Sequence, residues 1–324
     1  MKIKQLKRLQ HRQAGFTLLE LLVVITLIAA LAVGALIAYD GVGDKAQAAA
    51  AADSNVKVDN AIRQYKAVTN NYPNQWDNLA SGASLISALP PQLSTTDGTR
   101  NRVVAAWATG AAASNVSLSL GRAGINELQN WLTPVATNNT AGVIPNLAHN
   151  ESFNSINAAE SEHFDDGNVS ATPITNIAVV PGLAACNANT VAIPATTADP
   201  DGAGPLAAGL NYIQNRYSDA LEGDECHLVV ALGFGSDAAA STATSSVSIG
   251  KAPSFAKTDT ANPANNVDPN QQYSRYIGLF LLGSDSDENG NIVDGEYLNK
   301  ARLLTIIAPD GTIADQNLAT AVQN

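Results

Sequence analysis

A run of acidic and amide side chains near the C-terminus has the spacing of a cation site. Residues 285–296 read DSDENGNIVDGE, which satisfies the pattern D-x-[DN]-x-[DN]-G with a glutamate at the twelfth place. Calcium takes about six to eight oxygen ligands, and a glycine at the sixth place permits the sharp turn of such a loop. The spacing predicts a structural Ca²⁺ site with ligands from Asp285, Asp287, Asn289, Asn291 (through its carbonyl) and Glu296.

The surroundings of this loop leave an alternative open. Residues 276–282 predict a strand, whereas an EF-hand has a helix before its loop. The alternative to a calcium site is therefore an acidic, solvated hairpin loop.

Residue patterns typical of enzymes are absent from the sequence. His149, His163 and His227 lie far apart and have no zinc or nucleophile spacing. G-x-S-x-G, the phosphate-binding P-loop and H-E-x-x-H are also absent. An acidic cluster could hold a metal, although a solvated loop is the preferred interpretation; its members are Glu160, Glu162, His163, Asp165 and Asp166. We expect no enzyme.

The N-terminus joins a basic leader to a long apolar run. Residues 1–15 carry five Lys and Arg and no acid, and residues 21–38 read LLVVITLIAALAVGALIA. An apolar run of this length spans a bilayer as a helix, and the cations keep the leader on the cytoplasmic side. In a secretory signal the cleavage site follows the apolar core, whereas here Gly15 precedes it, so we expect the helix to be retained.

Glu20 lies near the start of this apolar run. A carboxylate inside a membrane helix costs about 2.5 to 3.5 kcal/mol and usually has a partner. The alternative is that Glu20 reaches the lipid headgroups from a position close to the membrane surface.

The basic leader, Gly15, Phe16, Glu20 and the apolar helix together resemble the N-terminal signature of type IV pilins and type II secretion pseudopilins. The resemblance implies that a prepilin peptidase cuts after Gly15 and methylates the new N-terminus at Phe16. It also implies that Glu20 attracts the terminal ammonium of an adjacent subunit, and opposite charges gain more from each other at low dielectric than in water.

The same resemblance implies partners and a location. The partners are copies of this chain, other pilin-like subunits, the prepilin peptidase and an inner-membrane assembly platform. The protein would cross the inner membrane once with its head in the periplasm, and would then enter a pilus or pseudopilus filament.

A second helical segment follows the apolar run. Residues 44–70 predict a helix whose apolar stripe should pack on a globular head; the stripe is Val58, Ile62, Tyr65, Val68 and Tyr72. If continuous from Phe16 to Asn70, the helix would be about 80 Å long, and Gly41 and Gly43 are the expected points of interruption. The run from Tyr65 to Pro73, with Trp76 and Leu79, resembles the end of the long helix in major pseudopilins.

The predicted fold class is α+β, with the long N-terminal helix packed on an antiparallel β-sheet head that has large loop insertions. The predicted divisions are a leader (1–15), a membrane or filament-core helix (16–39), its amphipathic continuation (40–71) and an unusually large head (72–324). Within the head we expect central strands at 227–234, 275–282 and 303–308, a short helix at 125–132, and long loops around a few short strands over 138–204.

Charge and cysteine content agree with an exported domain. The net charge is −11, and removal of five leader cations would leave 13 Lys and Arg against 29 Asp and Glu, or −16. Nucleic acid is therefore not an expected partner. In an oxidising compartment Cys186 and Cys226 are expected to form a disulfide, and the alternative is two buried free thiols.

Three functional interpretations remain. The leading one is a structural subunit of a type IV pilus-like or type II secretion pseudopilus filament. The second is a minor or tip subunit that binds a secreted substrate or a surface. The third is a membrane-anchored hydrolase or carbohydrate-binding protein that uses the same export signal.

Overall fold

The predicted α+β class is confirmed: an apolar N-terminal helix is followed by a β-sheet head with loops. The computed structural model describes residues 17–39, 42–94, 103–131, 146, 162–163, 174–181, 221, 226–259, 263–287, 289 and 291–322. The chain forms two compact units that divide between Lys45 and Ala46.

The first unit contains helix α1 (Leu18–Tyr39). Its segment Leu18–Ala35 has a mean hydropathy of 2.6, and none of it is buried. Among the described residues this is the one helix long and apolar enough to cross a membrane, judged by length and composition.

Helix α2 spans Val42–Thr69, and residues 40–41 between α1 and α2, including Gly41, lie outside the described residues. Gly43, one of the two predicted points of interruption, lies inside α2. The buried face of α2 includes Val58 and Ile62, as predicted, but Val68 is 60% exposed. At about 100° per residue, six residues carry Val68 about 120° away from Ile62 around the helix. The predicted stripe is therefore wrong at this position.

The end of α2 is close to the predicted one. Asn70 has φ 61°, a left-handed conformation that ends the helix, and the Lys66 ammonium donates to its carbonyl at 2.8 Å. The chain then enters the head through Tyr72, whose hydroxyl accepts a hydrogen bond from the Leu303 amide at 3.0 Å.

Ten strands are assigned within the described residues. They are β1 (Trp76–Asn78), β2 (Ala80–Ser81), β3 (Ser84–Leu85), β4 (Ala105–Ala108), β5 (Glu127–Gln129), β6 (Glu162–His163), β7 (Asn176–Val179), β8 (His227–Gly233), β9 (Ile277–Ser284) and β10 (Tyr297–Ile307). The main sheet has the order β10-β9-β8-β1-β5-β6, with β7 paired to β8 and β4 paired to β7. Among the described strands, β10 lies at one edge of the sheet and pairs only with β9.

Both faces of the central strands are buried. Along β8, Leu228, Val230 and Leu232 pack in one core with Val58 and Ile62 of α2. The alternating residues Val229 and Ala231 pack in a second core on the other face. This alternation follows from the two-residue period of a strand, and it places α2 on one face of the sheet.

The remaining helices within the described part of the chain are short. They are α3 (Pro91–Ser94), α4 (Ala113–Arg122), α5 (Ser236–Ala240) and α6 (Ala314–Val322), with 3₁₀ turns at Gly110–Ala112, Pro263–Asn265 and Asp294–Glu296. Helix α4 packs on the same face as α2 through Val116 and Leu120.

Two sequence-based expectations for the head are wrong in part. The segment 125–132, predicted as a helix, contains strand β5, because Trp76 and Asp77 of β1 provide a parallel partner for it. That parallel pair is also an exception to the predicted antiparallel sheet. The three strands expected at 227–234, 275–282 and 303–308 correspond to β8, β9 and β10, although β10 begins six residues earlier.

Candidate functional site

The first turn of α1 is closed by a reciprocal pair of side chains. Oε2 of Glu20 accepts hydrogen bonds from the Thr17 amide at 3.0 Å and from the Thr17 hydroxyl at 3.1 Å. In return, the Glu20 amide donates to Oγ1 of Thr17 at 3.2 Å. This is the capping box of a T-x-x-E sequence, in which two amide groups without helical partners are satisfied.

The capping box gives Glu20 a second role, which the apolar run alone does not predict. The signal was present in the sequence as Thr17-Leu18-Leu19-Glu20. Gly15 and Phe16, the predicted processing residues, lie outside the described residues.

The acidic loop connects β9 to β10 and brings together three of its predicted ligands. Oxygen atoms of Asp285, Asp287 and Glu296 all lie within 4.8 Å of one another. Asp285 is buried at the end of β9, and its amide donates to the Cys226 carbonyl at 2.8 Å, which fixes the start of the loop to the beginning of β8. Strand β9 precedes the loop, as predicted, and strand β10 follows it.

Glu296 closes the loop through backbone donors. Its Oε1 accepts from the Ser286 amide at 2.7 Å, and its Oε2 accepts from the Val293 amide at 3.0 Å. The hydrogen bonds from the Val293 amide and then the Ser286 amide lower the pKa of Glu296, which favours its ionised form. An ionised carboxylate is the form that binds a cation.

Asn289 and Asn291 are held by turns within the loop. The Asn289 amide donates to Oδ1 of Asp285 and to Oδ1 of Asp287, each at 3.2 Å. The Asn291 amide donates to Oδ1 of Asn289 at 2.8 Å. The Asn289 side chain also donates through Nδ2 to Oδ2 of Asp287 at 2.8 Å. Carboxylate and amide oxygens of this kind suit a hard cation such as Ca²⁺.

The second half of the loop also contacts α4. The side-chain amide of Asn115 donates to Oδ1 of Asp294 at 2.8 Å. A shallow cavity of about 450 Å³ lies here, lined by Ala111, Ala112, Asn115, Ile292, Val293, Asp294, Gly295 and Tyr297. Asp294 occupies the tenth place of the loop, which is not among the predicted ligand positions.

Other predicted site residues are described only in part. Cys226 is buried next to β8, whereas Cys186 lies outside the described residues, so the disulfide stays a prediction. In the acidic cluster 160–166, the backbones of Glu162 and His163 form β6 and the other members lie outside the described residues.

Comparison with protein families finds one feature, at the N-terminus. Residues 10–36 match the family model for the prokaryotic N-terminal methylation motif. Comparisons with curated proteins and with solved structures find no match. The chain thus carries a prokaryotic N-terminal methylation motif on an apolar N-terminal helix, an arrangement consistent with the signal of type IV pilins and pseudopilins.

Proposed function

We propose that this chain is a structural, non-enzymatic subunit of a type IV pilus-like or type II secretion pseudopilus filament. The methylation motif at residues 10–36 is the observation that carries this proposal. The exposed apolar surface of Leu18–Ala35 supports it, because such a helix requires either lipid or a bundle of similar helices around it. Prepilin peptidase would cut after Gly15 and methylate Phe16.

Assembly would use the charge of Glu20. Both contacts of its side chain to Thr17 use Oε2, which leaves Oε1 for the ammonium group of Phe16 in a neighbouring copy. The local cap orients the carboxylate at the helix start, and the incoming ammonium neutralises it inside the apolar bundle.

Two substitutions separate the cap from the charge. Glu20→Gln keeps an acceptor suited to a capping box but removes the charge, whereas Thr17→Val removes the cap and keeps the charge. We expect Glu20→Gln to reach the membrane at wild-type levels and to yield few filaments. Thr17→Val should still assemble, since loss of a cap costs only about 0.5 to 2 kcal/mol.

The measurement is the amount of the chain in sheared filaments relative to the amount in membranes. Mass spectrometry of the mature N-terminus, with and without the prepilin peptidase, provides the control for processing. Filament yields of Glu20→Gln equal to those of wild type would refute the role of the charge.

A minor or tip position is a second candidate. The predicted head spans 253 residues, from Tyr72 to Asn324, and a head of this size provides surface for a further partner. Quantitative mass spectrometry of isolated filaments decides between the two positions: a tip subunit is rare, and a major subunit is the most abundant chain.

We also propose that the loop 285–296 binds Ca²⁺. The convergence of Asp285, Asp287 and Glu296, together with the turns that orient Asn289, supports this proposal. The ligands would be the four side chains and the carbonyl group of Asn291. The ion would neutralise the carboxylates of the loop and so stabilise its structure. Hydrogen bonds from backbone amides to Glu296 already hold the ends of the loop together.

Calorimetric and thermal titration of the detergent-solubilised protein tests the calcium proposal. At 100 times the dissociation constant, Ca²⁺ should add about 2.7 kcal/mol of stability to the wild type. Glu296→Gln should lose this effect, because it removes the charge but keeps acceptor oxygen for the backbone donors. Asp294→Asn is the matched control and should bind normally. An unchanged unfolding midpoint of the wild type with Ca²⁺ would contradict the proposal.

A further inference from the structure

Four cations near the free edge of the sheet have no carboxylate partner within the described part of the chain. We call them the basic edge: Lys66 near the end of α2, Arg122 at the end of α4, and Lys300 and Arg302 on β10. By contrast, Lys57, Arg63 and Lys257 each form an ion pair with a carboxylate.

Contacts among these elements bring three of the four cations, Lys66, Arg122 and Lys300, close to one another. Partial burial and the nearby Lys300 ammonium together lower the pKa of Lys66. The Lys66 ammonium lies 4.5 Å from the centre of the Tyr72 ring, and Tyr72 in turn bonds to β10 at Leu303. The Arg122 guanidinium donates to the side chain of Asn299, next to Lys300. Like charges so placed repel each other, and an acidic partner would relieve that repulsion.

The loop 285–296 is the complementary surface that this chain itself contains. It has five acidic residues within twelve positions. Asp294 and Glu288 occupy places ten and four, outside the proposed calcium ligands, so their charges remain available when the ion is bound. The Asp294 side chain is exposed and is oriented by Asn115.

The two surfaces are adjacent on the β9–β10 pair but share no residue, and α4 borders both, through Asn115 at Asp294 and Arg122 at Asn299. The acidic loop connects the two strands at their ends, whereas the basic edge follows the unpaired side of β10. A contact between two different patches of identical chains is heterologous, and a heterologous contact repeats into an open filament unless its rotation closes a ring.

We propose that the basic edge of one copy binds the acidic loop of a neighbouring copy, with Lys300 facing Asp294. This inference rests on the proposed filament function and adds the surface through which the heads recognise each other. The contact orients neighbouring heads, and its strength falls as salt concentration rises.

A charge exchange in the full-length protein tests the contact. Lys300→Glu and Asp294→Lys should each reduce the sheared-filament fraction at least about fivefold, since each places like charges opposite each other. The combined variant should return the fraction to within about twofold of wild type, because the pair is restored with its signs exchanged. Lys251→Glu is the matched control, since Lys251 is exposed on a loop outside the basic edge, and it should assemble normally.

The outcomes are separable from failure of the proposed function. The membrane level and the calcium binding of each variant show whether it has a folding defect. Where a charge-reversal variant has such a defect, Lys300→Gln or Asp294→Asn replaces it, and each of these should also weaken assembly. Normal assembly of both single reversals, or no recovery in the combined variant, would overturn the inference while Glu20→Gln still tests the filament itself. Recovery only when an added polyanion is present would also overturn it, because the partner would then not be a second copy.

Discussion

A buried pair of polar side chains, Asp77 and Tyr273, controls which residues fit beside β1. The Tyr273 hydroxyl donates to Oδ2 of Asp77 at 2.7 Å, and both residues are buried. Burial, together with the Asp77 carboxylate, raises the pKa of Tyr273 well above its usual value, so the phenol remains a donor. Gly233 and Gly235 leave room for this pair: a Cβ at Gly233 would overlap the Tyr273 hydroxyl, and one at Gly235 would overlap the Asp77 carboxylate.

Gly235→Ala should therefore destabilise the protein. The added methyl group has to displace a buried, hydrogen-bonded carboxylate, and overpacking of this kind costs about 1 to 3 kcal/mol. Gly250→Ala is the matched control, since nothing lies within 4 Å of the position of its Cβ; its free energy of unfolding should stay within about 0.5 kcal/mol of wild type. Urea denaturation measures both, and equal midpoints would contradict the packing argument.

Single residues were predictable from the sequence only where their partners are close along the chain. The spacing of the loop 285–296 and of the Thr17–Glu20 cap lies within a few residues, and both features are readable from a pattern. Asp77 and Tyr273 are 196 positions apart, and no local pattern connects them. The unpaired cations of the basic edge likewise belong to three separate elements.

At the level of elements, the packing of α2 on the sheet depends on a narrow apolar face of the helix. Ile62 is fully buried against the sheet, whereas Val68 is largely exposed six residues later. Arg63 adds a polar contact to the sheet edge, since its guanidinium donates to the Leu304 carbonyl at 3.0 Å. The helix is thus attached to the head by its middle turns.

Alanine substitutions on this one helix should have very different effects. Ile62→Ala should lower the free energy of unfolding by about 2 to 5 kcal/mol, because it leaves a cavity in the core. Val68→Ala should change it by less than about 0.5 kcal/mol, as expected for an exposed site. Chemical denaturation compares the two, and similar losses would show that Val68 is packed in solution.

Long elements were predictable, and short ones were not. Strands β8, β9 and β10 combine seven or more residues with continuous apolar or branched sequence, so their type follows from composition. Strand β5 has three residues and exists through its pairing with β1. A local apolar pattern in that segment fits a helix equally well, which explains the wrong prediction for 125–132.

At the scale of the whole molecule, the predicted Cys186–Cys226 bridge would join the central segment to the sheet. Cys226 is buried immediately before β8, the strand with the most neighbours in the sheet. A bridge across a loop of about 40 residues should stabilise the fold by about 3 to 4 kcal/mol. The test is denaturation of the purified protein with and without a reductant, alongside thiol titration. Two reactive thiols in the denatured, unreduced protein would refute the bridge.

If the chain is a filament subunit, as proposed, the exposed apolar surface of α1 has a further consequence for how it would leave the bilayer. A helix that moves from lipid tails into a bundle of like helices exchanges one hydrocarbon environment for another, so the transfer itself provides little net driving force. The free energy that drives this transfer must then come from the few charged groups at the helix start, from contacts between the heads, or from work done by the assembly machinery. Such a subunit would remain stably in the membrane until those contacts form or that work is done.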